Sequence, residues 1–286
     1  MTAGGAGRLV LVATPIGNLG DVTARAAEVL AAADVICCED TRRTRVLCSA
    51  LGIAAGSRLV SVHGHNEAAR TGQVLGWLSE GKTVALVSDA GTPAVSDPGA
   101  RLVAAAVAEG QVVTVAPGPS AVLAALVVSG LPTERFCVEG FLPRRGAERR
   151  ARLESLAAEE RTTVLLESPG RLAETLGELA RAVGDRPVAV ARELTKRHEE
   201  VWRGGLEAAA AAFAAREVRG EVVVVLGGAR PPLGASDEQV AAAVASKLAD
   251  GASVRDAAGA VAADLGVAHR RAYRAALAAR QAGAGG

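Results

Sequence analysis

Three short stretches carry residue types suited to enclosing a small molecule: Thr14-Pro15-Ile16-Gly17-Asn18-Leu19-Gly20, Ser88-Asp89-Ala90-Gly91-Thr92-Pro93 running on to Asp97-Pro98-Gly99, and Pro117-Gly118-Pro119-Ser120-Ala121. Glycine permits close backbone approach and positive φ, and proline fixes φ, so such stretches build rigid walls. The middle one adds two aspartates and small hydroxyls. Any one of them has an equally good reading as an ordinary turn; the recurrence of three favours a ligand site. No GxGxxG follows the first apolar run and no GxxxxGK[ST] occurs anywhere, so a dinucleotide or nucleoside triphosphate held in those ways is not expected.

Each stretch follows a short apolar or β-branched run, and these runs alternate with helical patterns. Strands are predicted at Leu9–Ala13, Val35–Cys38, Leu59–Val62, Thr83–Ser88 and Val112–Ala116, with helices at Thr23–Ala32, Thr41–Leu51, Asn66–Glu80, Gly99–Glu109 and Ser120–Ser129. Such alternation implies a parallel sheet with helices on its faces, and ligands bind such sheets beyond the carboxyl ends of the strands. A second series follows Gly130-Leu131-Pro132: strands Phe136–Glu139, Thr162–Glu167, Val188–Arg192 and Val222–Leu226, with helices from about Ala147 to Ala158, Arg171–Val183 and Leu206–Ala215. After Gly227-Gly228-Ala229-Arg230-Pro231-Pro232 only helices are expected, Asp237–Ala249, Val254–Leu265 and Ala268–Ala279, the first two capped by Ser236 and Ser253. The fold class is therefore α/β, with domains expected at 1–117, 118–230 and a small helical domain at 231–286.

Composition narrows the partners. The 286 residues are 50% hydrophobic, enough for a sizeable core, while 32 basic and 31 acidic residues leave a net charge of +1, so a polyanion must be met by a local patch. Aromatics at 2% leave almost nothing for base recognition by stacked aromatic platforms, as in an RNA-recognition motif, so that class of binding module is not expected. The four cysteines form no CxxC pair and have no histidine at ligand spacing, so reduced thiols are expected rather than zinc or disulfides. The opening MTAGGAGR has no charged region followed by an apolar one, and Pro117-Gly118-Pro119 breaks the uncharged stretch Val112–Leu131; a cytoplasmic protein without membrane segments is expected.

Nine motifs in register carry a resemblance: Thr14-Pro15-Ile16-Gly17-Asn18, Glu39-Asp40-Thr41-Arg42, His63-Gly64-His65-Asn66-Glu67, the stretches from Ser88 and from Pro117, Arg135-Phe136-Cys137-Val138-Glu139-Gly140-Phe141-Leu142-Pro143, Glu167-Ser168-Pro169, Ala191-Arg192-Glu193-Leu194-Thr195-Lys196, and Arg219-Gly220-Glu221. Together they resemble the ribosomal RNA small subunit methyltransferase I family of the tetrapyrrole methylase superfamily, from about Arg8 to Gly228. The resemblance implies two α/β domains with S-adenosyl-L-methionine in the cleft between them, a homodimer, and methylation of the ribose 2′-OH of a decoding-centre cytidine in 16S rRNA within the 30S subunit. By position it assigns Ser88, Asp89, Ala90, Gly91, Thr92, Pro93, Ser120, Ala121, Leu166, Glu167, Ser168, Gly220, Glu221 and Val222 to the cofactor, with Pro15, Gly17 and Asn18 facing the reacting methyl group. Gly64 between two histidines, and Glu167 without a preceding aromatic, depart from the usual pattern on the substrate side.

Methyl transfer from a sulfonium is an in-line displacement for which alignment supplies much of the rate, but the hydroxyl proton must leave. Asp40, His65, Glu193 and Lys196 all follow predicted strands and are candidates for the base or for a cation that stabilises the alkoxide. Each has an ordinary reading as a surface pair, cap or turn residue. His63, His65 and Glu67 lack a further ligand, so no metal is expected. Phosphate contacts are expected from Arg42, from Arg144, Arg145, Arg149 and Arg150, which with Arg152 face a lone Glu148, and from Arg270, Arg271 and Arg274 in the tail, whose helices also resemble a helix-turn-helix. Two other functions fit parts of the pattern: a precorrin or uroporphyrinogen methylase, which would need neither the arginine run nor the tail, and a non-catalytic ribosome-assembly factor with a vestigial cofactor site.

Overall fold

A computed structural model describes residues 7–229 and 235–283. The chain divides into two compact units, with the division along the chain between Gly228 and Ala229. The expected boundary between 230 and 231 lies outside the described residues.

The first five strands, β1 (Arg8–Val12), β2 (Val35–Cys38), β3 (Leu59–Ser61), β4 (Thr83–Val87) and β5 (Val112–Ala116), form a wholly parallel sheet in the order β3-β2-β4-β1-β5. Helices α1 (Ala24–Ala32), α2 (Thr41–Ala50), α3 (Glu67–Ser79) and α4 (Ala100–Ala108) cover it. The strands read as unbroken apolar runs because both faces are buried. Val10, Ile36 and Ala85 pack with Ala26 and Leu30 of α1 and Cys48 of α2, whereas Leu9, Cys37, Val84 and Leu86 pack with Val74 and Leu78 of α3 and Leu102 of α4. Three cysteines are thus core residues, and burial pushes the Cys37 thiol up to about 12, away from reactivity.

The second sheet has the order β6-β7-β10-β8-β9, from β6 (Phe136–Phe141), β7 (Thr162–Glu167), β8 (Pro187–Arg192), β9 (Glu200–Gly205) and β10 (Val222–Leu226). Only β6 and β7 run parallel; β10 is antiparallel to both β7 and β8, and β8 to β9. The strand Glu200–Gly205 was not among those expected. It sits at the sheet edge and ends in two glycines, with only Val201 and Trp202 reaching the core, Trp202 edge to face on Phe213 at 6.1 Å, so it lacks the sustained apolar alternation that marks a strand.

On one face of this sheet lie α6 (Gly146–Ala157), α7 (Leu172–Val183) and α8 (Leu206–Ala214), around Leu165, Leu176, Val224 and Phe213. The other face is covered by α5 (Ala121–Ser129), whose Val122, Ala125 and Leu126 pack on Val164, Ala189, Val223 and Val225. Ile16, from the loop after β1, is part of the same cluster and anchors the first sheet's loops against the second sheet. The uncharged stretch expected to break at Pro117-Gly118-Pro119 is β5, a loop and α5, and no described helix is long and apolar enough to cross a membrane.

The C-terminal unit is three helices, α9 (Asp237–Ala249), α10 (Val254–Asp264) and α11 (His269–Gly283), around Val240, Val244, Ala258, Val261, Ala272 and Ala276. Ser236 caps α9 in a reciprocal capping box with Gln239, and Ser253 caps α10.

Candidate functional site

The loops after β1 and β4 are stitched together. Thr14 and Gly91 exchange backbone hydrogen bonds of 2.9 and 3.0 Å, and the Thr14 hydroxyl donates to the Ser88 carbonyl at 3.2 Å. Ser88 is itself buried and donates to the carbonyls of Ala90 and Gly91. Thr92 donates to the Pro119 carbonyl at 3.3 Å, which ties in the loop after β5, and Ser120 then caps α5. Among the described residues, the non-glycine positions with positive φ are Ala94, Ser96, Glu193 and Thr195. All four lie in the loops that follow β4 and β8, where strain of this kind is held by the surrounding contacts.

These loops face the ends of β7 and β10 across a cavity of about 330 Å³. Its walls include Ala90, Gly91, Thr92, Ser120, Ala121, Leu166, Glu167, Ser168, Gly220, Glu221 and Val222. A second cavity of about 350 Å³ adjoins it through Ile16, Ala90 and Glu221, and is bounded by Pro15, Gly17, Asp89, Arg43 and Lys196. Both volumes fall within the range of small-molecule sites. Three candidates stay outside the two cavities: Asn18 caps the short 3-10 turn at Leu19–Asp21, Ser88 is a buried strut, and Pro93 is buried.

The electrostatics are graded from one cavity to the next. Asp97, a wall residue of the first, has its carboxyl pushed up by burial. Glu39 is raised in the same sense by burial and then by the nearby Asp89 and Asp97 charges. Asp89 is held in place by the Asp40 backbone N–H at 3.0 Å and by Arg43 Nη1 at 3.1 Å. At the second cavity, Lys196 Nζ donates to Glu193 Oε1 at 2.9 Å and to Glu221 Oε2 at 3.1 Å, while Glu193 Oε1 also accepts from the Glu221 N–H. Burial alone would lower the Lys196 pKa, but the two carboxylates outweigh it and raise it, and the Lys196 ammonium holds Glu193 below its ordinary value.

A profile of the Tetrapyrrole (Corrin/Porphyrin) Methylases matches residues 8–210, most of both sheets. The chain belongs to this methylase family. "Ribosomal RNA small subunit methyltransferase I" of Mycobacterium tuberculosis (strain CDC 1551 / Oshkosh) is 51% identical over 277 residues, 96% of each chain. The Thermotoga maritima protein of the same name is 47% identical over 222 residues, covering 78% of this chain and 99% of its own. Among solved structures, uroporphyrin-III C-methyl transferase from Thermus thermophilus, complexed with S-adenyl homocysteine, superposes with a TM-score of 0.54 at 26% identity, over 77% of this chain and 96% of that one.

In this methylase the four base candidates separate. Asp40 caps α2 and binds Arg42 through both carboxylate oxygens, which hold its pKa down to about 2, and it lines neither cavity. Its backbone N–H donates to Asp89, so in this structure Asp40 stands as a clamp on Arg42 and Asp89. His65 also lies away from both cavities, edge to face with His63 at 6.0 Å. Glu67, the third member of that acidic and imidazole group, points elsewhere and accepts from the Gly99 and Leu102 N–H groups at the start of α4. Glu193 and Lys196 stand together at the second cavity, Lys196 as a wall residue. Asp97, Phe141 and Arg43 also line the cavities without having been assigned to them. Arg43 was separable from Arg42 only by a helical rotation: both are exposed, but Arg42 pairs with Asp40 while Arg43 reaches Asp89 at the second cavity.

The arginine run divides as well. Arg144, Arg145 and Arg150 are exposed, whereas Arg149 is 4% exposed and bonds Glu178, Thr175 and the Pro143 carbonyl. Arg149 is corrected from an RNA contact to an internal strut. In the tail, Arg270 and Arg274 are exposed and Arg271 pairs with Asp237 at 2.7 Å.

Proposed function

We propose that this methylase transfers the methyl group of S-adenosyl-L-methionine to the ribose 2′-OH of a cytidine in the decoding centre of 16S rRNA, within the 30S subunit. The observation that carries the reading is the pair of adjoining cavities: a carboxylate-bearing chamber built from strand-end loops opens onto a second chamber edged by Lys196 and Arg43. The names of the relatives at 51% and 47% identity support the substrate. The residues present suit the cofactor. Gly91 at φ +81° and Gly220 at φ +89° leave bare backbone on facing walls, Val222 and Leu166 offer apolar surface, and Asp97 and Asp89 suit a ligand bearing ammonium and sulfonium charge.

When bound, S-adenosyl-L-methionine would supply an electrophilic methyl group: transfer to the ribose oxygen breaks the S–CH3 bond, leaves a neutral thioether, and passes the hydroxyl proton to solvent at the second cavity. We assign Ala90–Thr92, Ser120, Ala121, Leu166–Ser168 and Gly220–Val222 to holding it, with Pro15 and Gly17 at the mouth toward the second cavity. Lys196 provides the charge that steadies the developing alkoxide, and Glu193 and Glu221 keep that ammonium aimed and charged. Gly17 keeps room for it, since a Cβ there would collide with the Lys196 stem. Lys196→Met is expected to lower kcat about 100-fold with cofactor affinity unchanged. Because the Lys196 pKa is raised, the alkaline limb of the wild-type rate profile should lie above the ordinary lysine range, and it should vanish in the variant; an unchanged profile would remove Lys196 from the chemistry.

Phosphate contacts are assigned to Arg144, Arg145 and Arg150, with Arg270 and Arg274 in the tail. Alanine at the first three should reduce the log–log salt slope of binding to 30S particles by about 2–3. The same slope in the triple variant would return the run to a solvated helix face. We also propose a division of the first unit at 117/118, so that each sheet contributes one wall, and a homodimer. Exposed Val112 and Val115 on edge strand β5, Leu123 and Val127 on α5, and Phe136 and Val138 on edge strand β6 support that assembly. The test of function is transfer of labelled methyl to 30S subunits from an unmodified strain, with a uroporphyrinogen assayed beside it. Alkali-resistant label at one cytidine is expected; label on the tetrapyrrole alone, or on neither, would overturn the substrate.

A further inference from the structure

Helix α11 is strongly two-sided. Ala272 and Ala276 are fully buried against α9 and α10, and the opposite side exposes His269, Arg270, Tyr273, Arg274 and Leu277, residues three or four apart that share one face. Tyr273 is the chain's single tyrosine, and in a protein with 2% aromatics it stands 39% exposed on a surface helix. Its ring lies nearly parallel to that of His269, with centroids 6.0 Å apart and 21° between planes.

Charge is segregated within the same small unit. From residue 235 to 264 there are five carboxylates, Asp237, Glu238, Asp250, Asp256 and Asp264, against Lys247 and Arg255, whereas beyond Asp264 the chain has four arginines and no carboxylate. Arg271 is taken up by Asp237, but Arg270 and Arg274, on either side of Tyr273, make no ion pair among the described residues. The apolar part of this face is small, Tyr273 and Leu277, which suits a polyanion better than an apolar protein surface. Duplex nucleic acid offers arginines its phosphates but keeps its bases stacked on each other, so an exposed ring pair between two cations is matched to an unpaired base and its flanking phosphates.

We propose that the Tyr273–His269 face of α11 binds unpaired RNA, with a nucleobase stacked on Tyr273 and Arg270 and Arg274 on the adjoining phosphates. This rests on the ribosomal RNA reading for its biological setting, but its test needs neither cofactor nor methyl transfer. The single tyrosine allows the full-length protein to be made with 3-fluorotyrosine, so that one ¹⁹F resonance reports this site alone. An unstructured oligocytidine is expected to shift that resonance saturably, and a duplex of equal length and charge to leave it in place. Tyr273→Ala should weaken oligocytidine binding about tenfold, Tyr273→Phe should retain it, and Arg270→Ala should lower the salt slope by about one.

Equal shifts with duplex and oligomer would overturn stacking. So would equal losses in the Ala and Phe variants, or a shift produced only by ribosomal proteins stripped of RNA. Failure of methylation on 30S subunits with the oligocytidine shift intact would overturn the substrate and leave this site standing.

Discussion

Gly91→Val is expected to abolish measurable S-adenosyl-L-methionine binding, a loss of at least about 100-fold in calorimetric affinity, while the protein stays folded. The residue sits at φ +81°, which a β-branched side chain adopts only with strain of about 1–3 kcal/mol. The backbone is not free to relax, because both its N–H and its C=O are bonded to Thr14. A Cβ would lie 3.5 Å from Ile16 Cγ2 and 3.8 Å from the Pro119 carbonyl oxygen, so the valine methyl groups must press on those walls or project into the cavity. Gly91→Ala, with the same φ and no γ-methyls, should fall between. Wild-type affinity in the valine variant would remove this loop from the cofactor site.

How much of this was legible in the sequence follows from where the signals are local. The parallel sheet was readable because strands such as Val84–Val87 are buried on both faces and so are uninterrupted apolar runs. The strand-end loops were readable because their glycines and prolines serve local backbone demands. The antiparallel pairing of β10 with β7 and β8 was not, since Val222–Leu226, a run buried at every position, looks the same in either direction. Strand β9 was hidden by its edge position. Among the charged residues the sequence offers types and not directions. Asp40, Arg42 and Arg43 are near neighbours, yet Asp40 clamps α2, Arg42 faces solvent and Arg43 binds the carboxylate beside the cavity. Asp97 lay in a recognised stretch but gained its wall position only when the loop folded back toward Phe141 and the second sheet.

The same ambiguity makes Arg149 the sharpest test of the buried side of the site. Arg149→Ala should destabilise the protein by about 3 kcal/mol, because removing one partner of a buried charge network strands the others. The network is traceable atom by atom. Arg149 Nη2 donates to the Thr175 hydroxyl at 2.9 Å, that hydroxyl donates to Glu167 Oε2 at 2.7 Å, and Glu167 Oε1 accepts from the Ser168 N–H at 2.7 Å. Glu167 is 4% exposed and forms part of the first cavity's wall, so the loss of Arg149 propagates to the ligand through Thr175 rather than by contact. A weaker cofactor affinity should therefore accompany the lower melting temperature, with kcat at saturation changing little. Arg150→Ala, one residue away on the exposed side of α6, should leave both stability and cofactor affinity unchanged and alter only the salt dependence of RNA binding. Lysine at 149 keeps the charge but not the forked donor set that reaches Glu178, Thr175 and the Pro143 carbonyl at once, so Arg149→Lys should recover only part of the stability. If alanine at 149 and at 150 behave alike in thermal melts, the buried network does not support the cavity wall, and the run is a single solvated face.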